Sequence, residues 1–167
     1  MKKALGRQPR HEQRHEQRRA TPRSDPYRAR RKPAGAMRCA GCGAVFHRGR
    51  WSWRTTPQHA ASGECPACRR IRERLPAAFL RLTGASFVRT HREELLKRAR
   101  HCEAQERAEH PLQRIMAIEP QASGLLVTTT DPHLARRIGE ALRDAYQGEL
   151  RYHYTKGERL LRVTWSR

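Results

Sequence analysis

Two pairs of cysteines constrain this chain more than any other feature of its sequence. Cys39 and Cys42 form the first CxxC pair, and Cys65 and Cys68 form the second pair after 22 intervening residues. Two residues between thiolates form a tight turn that places both sulfurs on one edge of a tetrahedron, as in four-cysteine zinc sites. The sequence therefore predicts a zinc ribbon in which these four cysteines bind one structural Zn²⁺ ion.

The alternative interpretations are two disulfides or four free thiols. The N-terminus lacks the apolar segment of a secretory signal, and no apolar stretch reaches the length of a membrane span. We therefore expect a cytoplasmic protein without membrane contact, in a compartment where stable disulfides are rare. Four thiolates fill a tetrahedral shell and leave no position for an activated water, so the predicted metal is not that of a zinc hydrolase.

The net charge points to a polyanionic partner. The 167 residues contain 36 Lys and Arg against 16 Asp and Glu, which gives a formal charge of +20. Arginine outnumbers lysine and asparagine is absent, as codon bias in a GC-rich genome would produce, but such bias does not explain the excess of bases over acids. Residues 1–37 have a net charge of +9 and residues 38–75 of +6, so most of the charge lies in the first 75 residues.

Charge and motifs together divide the chain into four segments of an α+β protein. Residues 1–37 form a basic arm, 38–75 the zinc ribbon, 76–110 a linker and a connecting helix, and 111–167 a small ββαββ module. The arm is predicted to be disordered because its apolar side chains are too few to offset the entropy of ordering. A tandem His-Glu-Gln-Arg repeat at 11–18 leaves a short helix and coil as open alternatives.

The C-terminal half carries the clearest secondary-structure signals. Residues 77–83 suit a brief strand or an extended linker. Thr90 and Glu93 have the spacing of a capping box, and an apolar stripe after them predicts a helix over 87–109, with Cys102 packed in the stripe. The ββαββ pattern is predicted as strands at 112–119 and 125–130, a helix from Asp131-Pro132 to Gly148, and strands at 150–154 and 161–165 around a Lys156-Gly157 turn.

The ribbon also contains the candidate nucleic-acid contacts. Residues 45–48 and 51–54 read as short strands, and 55–63 as a polar loop. The two tryptophans fit the small apolar core of a ribbon, or alternatively a platform on which bases stack beside arginines. The predicted contact residues are Arg48, Arg50, Trp51, Trp53, Arg54, Arg69 and Arg70. His47 and His59 are expected to be solvent-exposed and not to be metal ligands.

Three stretches together carry a family resemblance. The CxxC ribbon, the block GLLVTTTDPHLARRIGEAL at 124–142 and the ending LRVTW at 161–165 resemble bacterial relatives of the nonsense-mediated-decay-protein-three family, export adaptors of the large ribosomal subunit. The resemblance covers residues 39–68 and 112–165. The family usually has more CxxC pairs, and its export and additional binding domains have no counterpart here. The resemblance implies binding of the ribosome or structured RNA, without nuclear export.

Two functions of different classes follow from these observations. The first is a non-enzymatic zinc-ribbon protein that binds RNA or the ribosome through its arm and ribbon. The second is a zinc-stabilised adaptor for an acidic protein. An enzyme is not expected: the chain has no asparagine for a His-Asn-His nuclease, no GxxxxGK[ST] phosphate loop and no cluster of paired carboxylates. No feature indicates a small-molecule substrate.

Overall fold

The structure is a computed structural model of the chain, and it describes residues 33–154 and 160–167. Along these residues the elements are β1 (Met37–Cys39), β2 (Val45–His47), β3 (Arg50–Ser52), β4 (Ala61–Gly63), α1 (Pro66–Glu73), β5 (Ala78–Thr83), α2 (Ala85–Thr90), α3 (Arg92–Glu109), β6 (Ile115–Gln121), β7 (Gly124–Thr129), α4 (Pro132–Tyr146), β8 (Glu149–Tyr154) and β9 (Leu161–Ser166). The predicted arm lies outside the described residues up to position 32, as does the Lys156-Gly157 turn. No helix in the described ranges has the length and apolar character needed to cross a membrane.

The ribbon contains a four-stranded sheet in the order β3-β2-β1-β4. Strands β2 and β3 form a hairpin closed by Arg48 and Gly49, both with positive φ (49° and 82°), as a type I′ turn requires. The polar loop predicted at 55–63 is wrong at its end, because residues 61–63 form β4 and pair in parallel with β1. The residues Ala-Ser-Gly of β4 have low strand propensity, so this pairing is imposed by the tertiary fold.

Helix α1 begins directly at the second cysteine pair. Cys65 is its N-cap, and Pro66 occupies the first turn, where the missing N–H of proline costs nothing. The helix ends at Arg74, whose φ of 55° lies in the left-handed region, and the Leu75 N–H donates to the Arg70 carbonyl at 3.0 Å.

The second sheet has five strands in the order β6-β7-β5-β9-β8. Its centre is β5, which pairs antiparallel with β7 and parallel with β9. Of the two alternatives predicted for 77–83, the strand is the one observed, and the predicted ββαββ layout did not include it in the sheet. Leu80 and Leu82 of β5 are fully buried while Arg81 between them is exposed, which is the alternation of a half-buried strand. We call residues 77–167 the α+β module.

Helices α2, α3 and α4 pack on one face of this sheet. The core between them consists of fully or nearly fully buried apolar side chains, chiefly Leu80, Leu82, Leu95, Val127, Leu134, Ile138, Leu142, Val163 and Trp165. The indole Nε1 of Trp165 donates to the Gln147 carbonyl at 2.9 Å, so the largest core side chain has its polar atom satisfied. Cys102 is buried in the same core, as predicted.

The helix predicted over 87–109 is two helices separated at His91. The Thr90 hydroxyl donates to the Ser86 carbonyl at 3.0 Å, inside α2, and His91 is the N-cap of α3 without a side-chain cap bond. The expected Thr90–Glu93 capping box is therefore wrong. The start of α4 is as predicted: the Asp131 carboxylate accepts from the His133 N–H at 2.7 Å, and Pro132 occupies the first turn.

Candidate metal centre

The four cysteine sulfurs converge at one point of the ribbon. Their Sγ atoms all lie within 4.8 Å of one another, and those of Cys42 and Cys65 are 3.8 Å apart. A tetrahedral ion with metal–sulfur bonds of about 2.3 Å has edges of about 3.8 Å between sulfurs. A disulfide needs about 2.05 Å, and all four thiols are free. The predicted set of Cys39, Cys42, Cys65 and Cys68 is therefore confirmed as a single site that can hold one metal ion.

The first CxxC pair is shaped by glycines. A hydrogen bond of 2.8 Å from the Gly43 N–H to the Cys39 carbonyl closes the turn. Gly43 has a φ of 78°, a conformation that residues with a side chain rarely adopt. A Cβ atom placed on Gly41 would lie 3.2 Å from the Cys68 sulfur, closer than ordinary contact. Glycine at position 41 thus lets the two pairs approach each other.

The second CxxC pair lies at the N-terminus of α1, where backbone N–H groups point at the sulfurs. The Cys68 N–H donates to the Cys65 sulfur at 3.4 Å, and the Cys65 N–H donates to the Cys39 sulfur at 3.3 Å. Unpaired amides and the helix dipole both favour negative charge at this position. The backbone is therefore arranged to receive thiolates.

The thiol pKa values show two opposing effects. Burial acts to raise the pKa of Cys39, but the N–H groups of Cys65 and Cys42 that donate to its sulfur outweigh burial and lower the pKa to about 7. Burial raises the pKa of the Cys65 thiol, and it raises that of Cys68 against the opposing hydrogen bond from Arg114. A bound cation offsets this cost, because a coordinated thiol is deprotonated.

Arg114, which the sequence did not predict as a site residue, reaches the metal site from the α+β module. Its guanidinium is buried, with 6% of the residue exposed, and donates to the Cys68 sulfur at 3.3 Å and to the Cys65 sulfur at 3.9 Å. It also donates to the Pro111 carbonyl at 2.8 Å. Burial acts to lower the pKa of Arg114, but hydrogen bonds to the sulfurs of Cys42 and Cys68 raise it, so the positive charge is fixed. The only sequence signal was an arginine directly before an apolar strand.

Arg114 is therefore suited to neutralise part of the site's negative charge. Four thiolates around a divalent ion leave two excess negative charges, and a partner outside the coordination shell commonly changes metal affinity by about 10- to 100-fold. We expect Arg114→Met to weaken the affinity for added Zn²⁺ by about that factor, measured by competition with a chelator. Arg100→Met, on the exposed side of α3, serves as the control. Equal affinities of the two variants would contradict this role.

The predicted nucleic-acid contacts divide into two groups. Arg48, Arg50 and Arg54 are exposed, and the hairpin turn places Arg48 at its tip. Arg70 is only 7% exposed and donates to the Leu75 carbonyl at 3.1 Å, so its side chain is part of the ribbon interior and is withdrawn from the predicted surface. Arg69 is exposed and forms an ion pair with Glu73 at 3.0 Å.

The two tryptophans have structural roles. Trp51 is half-buried against the metal-binding cluster, and its ring centroid lies 5.6 Å from that of Phe46. Trp53 joins the ribbon to the α+β module: its Nε1 donates to the Arg107 carbonyl of α3 at 2.6 Å, and the Arg107 guanidinium lies 5.6 Å from its ring centroid. Trp53 is still 40% exposed, but the face under Arg107 is not free to stack on a base.

Comparisons of the chain with protein families, curated proteins and solved structures give no match. The resemblance to the nonsense-mediated-decay-protein-three family is therefore untested and stays a prediction.

Proposed function

We propose that this chain is a non-enzymatic zinc-ribbon protein that binds RNA or the ribosome through its basic arm and ribbon. The observation that carries the proposal is the position of the ribbon arginines. Arg48 and Arg50 are exposed on the hairpin of β2 and β3, Arg54 is exposed two residues after β3, and the nearby metal site has four cysteine ligands and needs no further one. Guanidinium groups bind phosphate oxygens through paired donors, so these three arginines of the ribbon can bind phosphates.

The conformation of Arg48 supports this proposal. Its φ of 49° is one that asparagine, aspartate and glycine adopt far more readily than a long side chain does. A residue in such a conformation has a cost of order 1 kcal/mol or more, and such residues cluster at functional sites. The turn holds the guanidinium of Arg48 at the end of the hairpin, where it meets a partner first.

The proposed metal is Zn²⁺, because tetrahedral sites of four thiolates select zinc among the divalent ions of the cell. The role of the metal is to fold the ribbon. No coordination position is left for water, so no hydrolytic step is assigned to it. The residues that hold the metal are the four cysteines, and Arg114 supports them from outside the shell.

The large positive net charge of the chain supports a polyanionic partner. The first 75 residues hold +15 of the net +20, and the arm alone has 12 bases against three acids. Contacts between such a surface and a phosphate backbone release counterions, which makes binding strong at low salt and weak at high salt. The family resemblance points to the same partner, and an RNA-binding role fits a cytoplasmic location. An acidic protein is the competing partner and is an outcome of the test below.

The test is co-sedimentation of the purified chain with ribosomes. We expect the chain to pellet with ribosomes at low salt and to be released by roughly a few hundred millimolar salt, because each phosphate contact contributes to the salt dependence. Digestion of the lysate with ribonuclease before purification distinguishes the two partners. A major protein partner that still co-purifies at full yield after digestion would favour the acidic-protein adaptor and would contradict RNA binding.

A further inference from the structure

The five-stranded sheet has a second face that the helices do not cover. The side chains that alternate with the core residues on β5, β9 and β8 point away from α2, α3 and α4. They form what we call the open face: Phe79, Arg81, Arg151, His153, Arg162 and Thr164. All except Phe79 and Thr164 are exposed, and those two are half-buried. These side chains line a shallow groove of about 480 Å³.

Strand register aligns the open face in two rows. Phe79 lies opposite Arg162, and Arg162 lies opposite His153, which forms one row across three strands. Arg81 lies opposite Thr164, and Thr164 lies opposite Arg151, which forms the second row. Neighbouring strands are about 4.8 Å apart and alternate residues about 6.6 Å apart, so the six side chains form one compact patch.

The patch combines positive charge with a flat apolar surface. The Arg162 guanidinium lies over the Phe79 ring, 5.3 Å from its centroid, in a cation–π contact. Arg81 on the adjacent row is exposed at the centre of the sheet. The Arg151 guanidinium donates hydrogen bonds to both carboxylate oxygens of Glu149, at 2.6 and 2.9 Å, and the two charges offset each other. The net positive charge of the patch is therefore concentrated on Arg81 and Arg162.

We infer that the open face binds a single-stranded segment of RNA, with Arg81 and Arg162 donating to phosphates and a base stacked on the outer face of the Arg162 guanidinium, whose inner face lies on the Phe79 ring. Exposed sheet faces that combine arginine with an aromatic ring bind unpaired bases, whose flat faces stack on both kinds of group. This inference rests on the proposed function and adds a second contact surface, in the α+β module, to the contacts of the arm and ribbon.

Single-stranded RNA fits this face better than an acidic protein does. A single strand presents both phosphates and flat bases, and the open face presents both exposed guanidinium groups and the Phe79–Arg162 stack. An acidic peptide would pair with the charges but would leave the stacking surface without a partner. Glu119 is exposed on β6, opposite Leu126 and beyond the patch. Its negative charge repels phosphates, so the bound RNA is not expected to extend toward this edge of the sheet.

The test uses the full-length, zinc-loaded chain and a fluorescein-labelled oligouridylate of about ten nucleotides, with binding followed by fluorescence anisotropy over a range of salt concentrations. We expect the double variant Arg81→Gln, Arg162→Gln to weaken binding and to lower the log–log salt slope by about 1.4, since each single-strand phosphate contact contributes about 0.7. The matched control is Arg89→Gln, Arg100→Gln, which removes the same charge from exposed positions on α2 and α3. It should leave the slope unchanged.

A third variant tests stacking apart from charge. Phe79→Leu keeps an apolar side chain on the sheet and should still weaken oligouridylate binding about fivefold or more, because the Arg162 guanidinium on which the base stacks loses the ring that supports it. Circular dichroism melting is measured for every variant, so that a loss of binding is interpreted only where the module is folded. If Phe79→Leu binds as the wild type does, the stacking assignment is wrong.

The outcomes separate this inference from the proposed function. Wild-type binding with equal slopes for the two double variants would overturn the open-face site and leave the ribbon and arm as the RNA contacts. No wild-type binding to oligouridylate or to ribosomes at low salt would overturn the proposed function itself. Equally tight binding of a labelled polyglutamate, with the same dependence on Arg81 and Arg162, would show that the face receives an acidic protein.

Discussion

The variant Cys42→Ser is expected to lose the bound zinc and to unfold the ribbon while the α+β module stays folded. The buried cluster around the metal site contains only two alanines, Ala44 and Ala67, besides cysteines, and the ribbon adds Val45 and Phe46 as larger buried apolar side chains, so it has few apolar contacts to hold it without metal. Apparent binding free energies of structural zinc sites are about 10–16 kcal/mol, which is the folding free energy of such small units. The core of the module contains no ribbon residue and should survive.

Limited trypsin digestion measures this effect directly. In Cys42→Ser and in Cys65→Ser, cleavage after Arg48, Arg50 and Arg54 should become fast, and a protected fragment that contains the module should remain. Elemental analysis should find one zinc per chain in the wild type and none in either variant. The control is Cys102→Ala, which changes a buried cysteine of the module and should keep its zinc. Wild-type protein without zinc, purified without chelator, would contradict the metal assignment.

The triple variant Arg48→Glu, Arg50→Glu, Arg54→Glu is expected to abolish co-sedimentation with ribosomes. Each substitution replaces a positive charge with a negative one at an exposed ribbon position, so phosphate binding is replaced by repulsion. None of the three side chains is a metal ligand or part of the ribbon core, and the zinc content should stay at one per chain. The measurement is the pelleted fraction at low salt, with zinc content determined on the same sample.

A control of equal charge distinguishes a local surface from overall charge. Arg89, Lys97 and Arg100 are exposed on α2 and α3, away from the ribbon, and their replacement by glutamate changes the net charge by the same amount. This control should reduce pelleting far less than the ribbon variant does. Equal loss in both variants would mean that net charge alone drives association and that the ribbon is not the contact surface.

The sequence was sufficient to predict the features whose signal is a local spacing or alternation of residues. The two CxxC pairs predicted the metal site because tetrahedral geometry restricts which spacings bring four sulfurs together. The start of α4 was predictable because Asp131 and Pro132 are strong N-terminal signals, and its apolar positions repeat at helical intervals. The hairpin of β8 and β9 followed from alternation between apolar and polar side chains.

The features that the sequence did not predict depend on tertiary contacts. Strand β5 is only six residues long and follows a proline, so its place at the centre of the sheet is decided by pairing with β7 and β9, far away in sequence. Arg114 and Trp53 each join the ribbon to the module across about 50 residues of sequence. Their partners are a sulfur and a backbone carbonyl, which no sequence pattern identifies.

The nucleic-acid content of the purified chain tests RNA binding most directly. Wild-type protein purified at low salt should show the ultraviolet absorbance of bound nucleic acid. Ribonuclease should remove that absorbance, and deoxyribonuclease should not. The Arg48→Glu, Arg50→Glu, Arg54→Glu variant should carry much less nucleic acid. A wild-type protein with a purely protein-like spectrum at low salt, or one whose bound nucleic acid resists ribonuclease, would contradict the proposed function.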